Sequence, residues 1–408
     1  MIRVSTNNLY QSSVQGIMAD QSAVYTSVAN LSSGKQINSP ADNPVGAAQA
    51  SLLQSDITQL AQFTTNQGQA SQLLNNASST LTRAINVVQS AQTTLVQAGG
   101  GTLNDTNRLA LAAQLQQNLN ELVGLANTGD AQGGYLFGGS VTSTPPFVQN
   151  GNTVTYAGDG IAQGVAISNT RTEQVKYPGS GIFMSIPAGN GSFSTAAAGN
   201  TQTNGSNQGS GVIGNTSVTS PSALTGDSYT ISLDASNQYT VTNTSTTPPT
   251  TVLGPTAYSD PTTLAFDGMQ MTLSGTVMPF DTFKVTPAGT ESIFHMLASA
   301  ISALQTPSGS AASNAQRSSD VTTALGNMGQ ALTSLTTTQS AMGAQLQELN
   351  TYATMNSDRT LQDQTQISSL VDLNYAKGAS ALAQQQTQYQ AALQSYSAVS
   401  KLSLFNYM

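Results

Sequence analysis

The sequence predicts an elongated, multidomain α+β protein, in which long terminal helices and a helical bundle flank an inserted all-β outer domain. All 14 prolines of the 408-residue chain lie between Pro40 and Pro307. Proline disrupts helix interiors, so both ends are free to form long helices. Of the 36 glycines, 22 fall between Gly133 and Gly289, where β-branched residues alternate with polar ones. We therefore expect helices at both ends and strands between them.

The terminal helices carry apolar stripes with the spacing of coiled coils. Near the N-terminus the stripe alternates four- and three-residue steps, and near the C-terminus it recurs every seven residues, which aligns side chains on one face. We predict subunit interfaces at Tyr10, Val14, Ile17, Val24, Val28, Leu31, Tyr375, Leu382, Tyr389, Leu393 and Tyr396. The alternative is an ordinary helical core within one chain. Since lone helices of this length are marginal in water, we predict largely disordered ends in the free monomer.

The inner part of the chain repeats the helical signal and then changes to strands. Apolar seams run from Leu53 to Leu95, with a polar centre that includes Gln67, and from Val321 to Ala353. Alternations such as DSYTISLD predict half-buried strands, and the polar stretch 195–211 predicts a flexible linker. The resulting domain prediction is terminal helices at 1–44 and 363–408, a helical bundle at 45–140 and 290–362, and a variable β domain at 141–289.

Composition excludes several kinds of chemistry. The chain has no cysteine and one histidine, His295, which removes thiolate nucleophiles and multi-histidine metal sites. A net charge of −8 argues against binding to nucleic acid. The sequence contains no run of about 18 apolar residues, so it predicts no membrane-spanning helix. Only 7% of the residues are charged, which is typical of surfaces that pack against protein. We predict that the chain is not an enzyme and binds no cofactor, and that it has no catalytic, cofactor-binding or metal-binding residue.

A short segment interrupts the helical pattern after the first helix. Gly34 tolerates a positive φ, and Pro40 and Pro44 disfavour helix at the residues before them. Asp42 or Asn43 is a candidate N-cap for the helix that begins near Pro44. We predict a jointed connection, here called the spoke, which comprises Gly34, Ile37, Asn38, Pro40, Asp42 and Pro44.

The spoke sequence LSSGKQINSPADNPVGAAQA resembles the connection that follows the first helix in bacterial flagellins and their relatives. Two further passages, GDAQGGYLFGGSVTSTPPF and the closing SLFNYM, are similar to those of the hook–filament junction members of this flagellin-like family. Asn406 stands where those members more usually have Asp. The similarity covers residues 1–147 and 290–408, and the β region matches only in general character.

The resemblance implies a structural subunit of the bacterial flagellum, exported through the flagellar type III apparatus and located outside the cell. It implies a ring at the hook–filament junction that assembles through coiled-coil packing of the terminal helices. The implied partners are copies of the same chain, the first hook-associated protein on the hook side, flagellin on the filament side and a flagellar export chaperone. Neither nucleic acid nor membrane is implied.

Three other functions are left open. A flagellin would polymerise into long filaments rather than occupy a short junction. A surface-degrading enzyme carried on the flagellum would need a catalytic constellation in the β region, where the sequence offers none. An adhesin-like binding module has only the Tyr- and Thr-rich composition of the strands in its favour.

Overall fold

Long helices at both ends and a β region between them make up the fold, which confirms the predicted α+β class. The computed structural model describes residues 6–100, 103–130, 133–141 and 143–401. The helices are α1 (Thr6–Ser33), α2 (Pro44–Ala98), α3 (Asp105–Ala126), α4 (Ile293–Gln305), α5 (Ala311–Val371) and α6 (Tyr375–Lys401). The closing SLFNYM lies outside the described residues.

The strands are short and antiparallel wherever they pair. They are β1 (Phe147–Asn150), β2 (Thr153–Tyr156), β3 (Gln163–Ala166), β4 (Thr172–Lys176), β5 (Ile186–Pro187), β6 (Phe193–Asn200), β7 (Val212–Val218), β8 (Tyr229–Leu233), β9 (Gln238–Asn243), β10 (Thr250–Ala257), β11 (Thr262–Phe266), β12 (Met269–Ser274), β13 (Asp281–Pro287) and β14 (Thr290–Glu291).

The chain divides into two compact units. The smaller combines Met1–Thr65 with Thr351–Met408, and the larger is Asn66–Asn350. Helices α2 and α5 each contribute residues to both units. The three-layer division expected from the sequence remains a prediction, because contacts within the chain define only these two units.

Heptad periodicity accounts for the helical core of the larger unit. In α2 the side chains at seven-residue intervals from Gln67 to Leu95 are all buried, and in α5 those from Val321 to Leu349 are buried likewise. Contact between the two helices includes a 2.6 Å hydrogen bond that Gln339 Nε2 donates to Thr82 Oγ1. At the polar position Gln67, the side-chain amide nitrogen donates to the Ile167 carbonyl at 2.9 Å, and Oε1 is buried without a partner among the described residues.

Four phenylalanines join the helical core to the segments around the first strands. The ring of Phe183 is fully buried, with its centroid 5.3 Å from that of Phe137 and 5.5 Å from that of Phe147. Phe147 in turn lies 5.3 Å from Phe294 on α4. Phe137 and Phe147 come from the GYLFGG…PPF passage, so that passage is a structural element of the core.

The β region has two main sheets around one apolar core. The five-stranded sheet has the order β10-β9-β8-β13-β6, and the three-stranded sheet has the order β11-β12-β7. As the alternation predicts, Tyr229, Ile231 and Leu233 of β8 point into this core. Met271 and Leu273 of β12 face them from the other sheet. Burial of one face of each sheet therefore holds the region together.

The prediction of a flexible linker at 195–211 is wrong. Its first part is strand β6, which pairs with β13, and its second part is held by the buried carboxylate of Asp281. That carboxylate accepts hydrogen bonds from the backbone amides of Gln208 at 2.8 Å and Gly209 at 2.9 Å. A partner 70 residues or more away in sequence orders the segment, and its polar composition could not reveal that partner.

Candidate assembly surface

The terminal helices α1 and α6 lie against each other in the smaller unit. Tyr396 Oη donates a 2.7 Å hydrogen bond to Tyr10 Oη, and the two ring centroids are 5.4 Å apart. Further along the pair, Ser27 donates a short hydrogen bond to Gln385. The structure thus brings together the two stripes that the sequence identified separately.

The seam between α1 and α6 is only partly closed. Val14, Ile17, Val24, Leu31, Leu382, Tyr389 and Tyr396 are half-buried. The other predicted seam residues, Tyr10, Val28, Tyr375 and Leu393, are 41–59% exposed. No side chain that the structure describes in either helix is fully buried, whereas α4 buries most of its apolar residues. The pair therefore retains apolar surface that a single chain does not cover.

Sequence reasoning missed a second apolar stripe on α1. Met18 and Tyr25 are 64% and 66% exposed and lie seven residues apart, each one position after a seam residue. One residue rotates the helix by about 100°, so this stripe lies on a different face from the seam. On α2, Val45 and Leu52 have the same spacing and are 78% and 73% exposed. A search for seven-residue repeats outside the 4-3 series would have found both pairs.

The spoke is paired by backbone hydrogen bonds with the connection between α5 and α6. Gly34 adopts φ +71°, and its carbonyl accepts from the Leu373 amide at 2.8 Å. The Gln36 amide donates to the Val371 carbonyl at 2.7 Å. A Cβ on Gly34 would lie 3.0 Å from Tyr375 Oη, so both the backbone angle and the available space favour glycine.

Side chains of the spoke order its second half. The Asp42 carboxylate accepts from the backbone amides of Asn38 at 2.9 Å and Ser39 at 2.7 Å, and these hydrogen bonds lower the pKa of Asp42. Asn43 caps α2, because its Oδ1 accepts from the Gly46 amide at 2.9 Å. Pro44 is the first residue of the helix, where a missing amide hydrogen costs nothing.

The remaining two spoke residues differ in their surroundings. Pro40 is exposed, and Ile37 is half-buried. Ile37 lies close to the start of α2, since a Cβ on Gly46 would stand 2.8 Å from Ile37 Cδ1. The spoke is therefore a compact, hydrogen-bonded connection with one apolar contact.

The buried seam of α5 becomes polar in the smaller unit. Its seven-residue series continues from Leu349 to Asn356 and Asp363, which are 6% exposed each. Arg359 Nε donates to Asp56 Oδ2 of α2 at 3.0 Å. Burial raises the pKa of Asp363, with a further contribution from its hydrogen bond to Asp56, and the Arg359 charge opposes this. Asp363 is thus held close to a second carboxylate with one cation nearby.

We expect Asp363→Asn to stabilise the chain at neutral pH. A carboxyl group whose pKa is higher in the folded than in the unfolded chain stabilises the folded state at pH values below its unfolded pKa. This stabilisation is lost as the pH rises through the folded pKa. The substitution removes that loss, so the unfolding midpoint should rise at pH 7, and the gain should vanish as pH falls below about 3.9. Circular dichroism melts across this range provide the measurement. Asp358→Asn removes an equal charge from an exposed position of α5 and is the control; equal gains in both variants would contradict the assignment.

The single histidine, metal binding and membrane spanning can each be examined in the described residues. His295 is exposed on α4 and lines a cavity of about 570 Å³ together with Asp320 and Asn327. Within the described ranges, no group of three or more His, Cys, Asp or Glu residues is placed to hold a metal ion. Nor does any helix in those ranges have the length and apolar character to cross a membrane. The chemistry that the structure does provide is apolar and hydrogen-bonding surface on helices.

Comparison with known proteins shows what this chain is similar to. The profile of the bacterial flagellin N-terminal helical region matches residues 4–142, and that of the flagellar hook-associated protein 1 D2-like domain matches residues 202–287. Flagellar hook-associated protein 3 of Escherichia coli K12 is 27% identical over 405 residues, 99% of each chain. The chain is similar to this flagellin-like protein over nearly its whole length. The Salmonella typhimurium protein of the same name is 33% identical over 185 residues, which is 45% of this flagellin-like chain and 58% of the relative.

Solved structures show the same similarity. The flagellar hook associated protein-3 of Legionella pneumophila has a TM-score of 0.73 at 28% identity and covers 78% of the flagellin-like chain and 98% of its own. A structure described as the flagellar junction protein FlgL from the same organism has a TM-score of 0.69 at 28% identity, over 79% and 100%. FlgL of Xanthomonas campestris, at 24% identity over 76% and 98% with a TM-score of 0.69, shares the fold. The flagellin-like chain therefore has a structural role in the bacterial flagellum.

Proposed function

We propose that this chain forms the ring at the hook–filament junction, and that copies assemble by packing α1 and α6 into grooves between neighbouring copies. The observation that carries the proposal is the open seam: apolar residues line both helices, yet none that the structure describes is fully buried. Knobs-into-holes packing against further helices would bury these side chains. The names of the relatives, hook-associated protein 3 and flagellar junction protein, support the same location.

The second stripe on α1 supports contact with more than one neighbour. Val24 and Tyr25 differ in direction by about 100°, so a single partner helix cannot cover both faces. Each fully buried apolar side chain contributes roughly 1.5–3 kcal/mol, which favours an assembly that closes both stripes. Asp20 is the only charged residue in α1, so close packing of this helix entails little desolvation of charge.

The spoke acts as the joint between the terminal helices and the rest of the subunit in this proposal. Backbone pairing of residues 34–36 with residues 371–373 would transmit a displacement of α1 and α6 together rather than singly. The partners proposed across the ring are the first hook-associated protein on the hook side and flagellin on the filament side. Export through the flagellar type III apparatus, with a chaperone, completes the proposal.

We expect α1 and α6 to exchange their amide hydrogens rapidly in the dilute monomer. Few buried contacts hold them, so local opening should cost little free energy. Protection factors across Tyr10–Leu31 should be at least about a hundredfold below those of α4, which packs in the core. Hydrogen–deuterium exchange with mass spectrometry measures both helices in one sample. Protection of α1 equal to that of α4 in the monomer would contradict the proposed dependence on neighbouring copies.

The second candidate function is that of a flagellin, favoured by similarity to flagellin B of Helicobacter pylori J99, which is 30% identical over 166 residues. That match covers 40% of this chain and 32% of the relative, whereas the match to hook-associated protein 3 spans nearly the whole of both. Immunogold labelling of intact flagella separates the two. Label confined to a short zone beside the hook supports the ring, and label along the filament supports a flagellin.

A further inference from the structure

We propose that the region where α2 ends and α5 begins is a binding site for an oxyanion, either a phosphate-type ion or a carboxylate. A polar cavity of about 300 Å³ lies there, entirely within the larger unit. Two guanidinium groups line it, Arg108 from α3 and Arg317 from α5. Ser308, Asn314 and Ser318 add hydroxyl and amide groups to its wall.

Arg108 is held firmly but not fully satisfied. Its residue is 3% exposed, and its Nη1 donates to the Leu103 carbonyl at 3.0 Å. Its Nη2 donates to Ser308 Oγ at 3.0 Å and forms a close ion pair with Asp105. Its buried Nε has no hydrogen-bond partner among the described residues. Buried N–H groups without partners are rare and point to a missing acceptor.

Arg317, which also lines the cavity, likewise has a buried N–H donor without a partner among the described residues. Its Nη2 donates to Asn314 Oδ1 at 2.9 Å, one turn earlier on α5. Its Nη1 is buried and, within the described part of the chain, unpartnered. Two cationic side chains from different helices thus line one cavity, and each has a buried donor that lacks an acceptor. A bidentate oxyanion is the ligand whose geometry matches such guanidinium donors.

The local charge is positive in a protein whose net charge is −8. Asp105 is the carboxylate at this place, and hydrogen bonds from Ser308, aided by Arg108, lower its pKa to about 2. Burial lowers the pKa of Arg317, and the charge of Arg108 lowers it further, as expected for two cations that share one anion. Asp320, the first acidic residue of α5, accepts a hydrogen bond from Gln316 at 2.8 Å. One positive charge is left without a counter-ion.

The start of α5 adds to the attraction for an anion. Its 61 residues begin at Ala311, and the N-terminal end of a helix carries a partial positive charge. Ser310 precedes it and already accepts from the Ser313 amide at 3.2 Å, so this end is ordered before any ligand binds. The helix terminus thus adds a partial positive charge near the cavity, whose wall on α5 begins at Asn314.

Two sources can supply the oxyanion: free phosphate or sulfate in the medium, or an acidic side chain of a neighbouring copy. The second source rests on the proposed ring assembly, and the first does not. Titration of the dilute full-length monomer with inorganic phosphate tests the site without assembly. We expect saturable binding at constant ionic strength, with affinity at least tenfold weaker in Arg317→Gln. Arg83→Gln removes the same charge from an exposed position of α2 and should bind as the wild type does.

Isothermal titration calorimetry is the primary readout, because phosphate and sulfate also stabilise proteins generally through exclusion from their surfaces. Lack of saturable binding by the wild-type monomer overturns the proposal without any variant, and so does equal binding by Arg317→Gln. If Arg317→Gln fails to fold, Arg317→Lys is used instead, because it keeps the charge but loses the paired guanidinium donors. Unchanged affinity of Arg317→Lys for phosphate would count against the site. Where wild-type monomer binds phosphate, loss of that binding in assembled chains identifies a neighbour's carboxylate as the ligand, and retention identifies a free ion.

Discussion

Val24→Asp combined with Val28→Asp is expected to keep the chain out of the proposed ring at the hook–filament junction while the β region stays folded. Val24 is half-buried and Val28 is 46% exposed in the single chain, so the monomer tolerates charge there better than an assembly would. Each carboxylate left unpaired in a closed interface costs about 3–5 kcal/mol. Two of them should reduce association by well over about a hundredfold. The measurement is the amount of chain in purified junctions from cells that produce only the variant, together with their motility.

The matched control is Ala19→Asp combined with Thr26→Asp. It introduces the same two charges at exposed positions of α1 that lie about 140–160° from Val24 and about 100° from the stripe of Met18 and Tyr25. We expect this control to enter junctions at a level nearer that of the wild type. Circular dichroism of the purified variants verifies that the β region remains folded in both. Normal junctions and filaments in the Val24 and Val28 double variant would refute the seam as the assembly surface.

Phe183→Ala should destabilise the larger unit by about 3–5 kcal/mol. The side chain is fully buried, and its ring packs beside those of Phe137, Phe147 and Phe294, so truncation leaves a cavity that three rigid rings border. The free energy of unfolding in guanidinium chloride, followed by circular dichroism, gives the magnitude. The same cluster anchors the GYLFGG passage to α4 through Phe294.

Val148→Ala provides the comparison for this core substitution. Val148 follows Phe147 in β1 but is 50% exposed, so its truncation should change the free energy of unfolding by less than about 1 kcal/mol. If Phe183→Ala also costs less than about 1 kcal/mol, the aromatic cluster does not hold the passage in place. Comparison of the two variants thus shows whether the loss of stability comes from burial of the side chain.

Local patterns predicted the elements well because their causes are local. The absence of proline from both ends permits α1, α5 and α6, and the seven-residue repeat of Val321 to Leu349 matches the buried face of α5. Alternation in β8 likewise predicted which side chains enter the core. These signals come from the geometry of a single helix or strand, which adjacent residues determine.

The candidate surface was predictable only in part. The 4-3 spacing located the seam residues, but not that α1 and α6 would pair with each other or that Tyr10 would meet Tyr396. Spoke residues were found from glycine, proline and a resemblance, whereas their pairing with residues 371–373 was not. Met18 and Tyr25 fall outside the 4-3 series, so the pattern that predicts the seam does not include them.

The sequence by itself determined where helices and strands form, which residues face inward along each, and that the chain lacks cysteine and almost all histidine. Tertiary structure alone decided that β13 lies between β8 and β6, and that Asp281 orders the polar stretch after β6. It also decided that Arg108 and Arg317, more than 200 residues apart, line one cavity. The physical reason is that periodicity reports the direction of a side chain, whereas a partner distant in the chain is selected by packing of the whole fold.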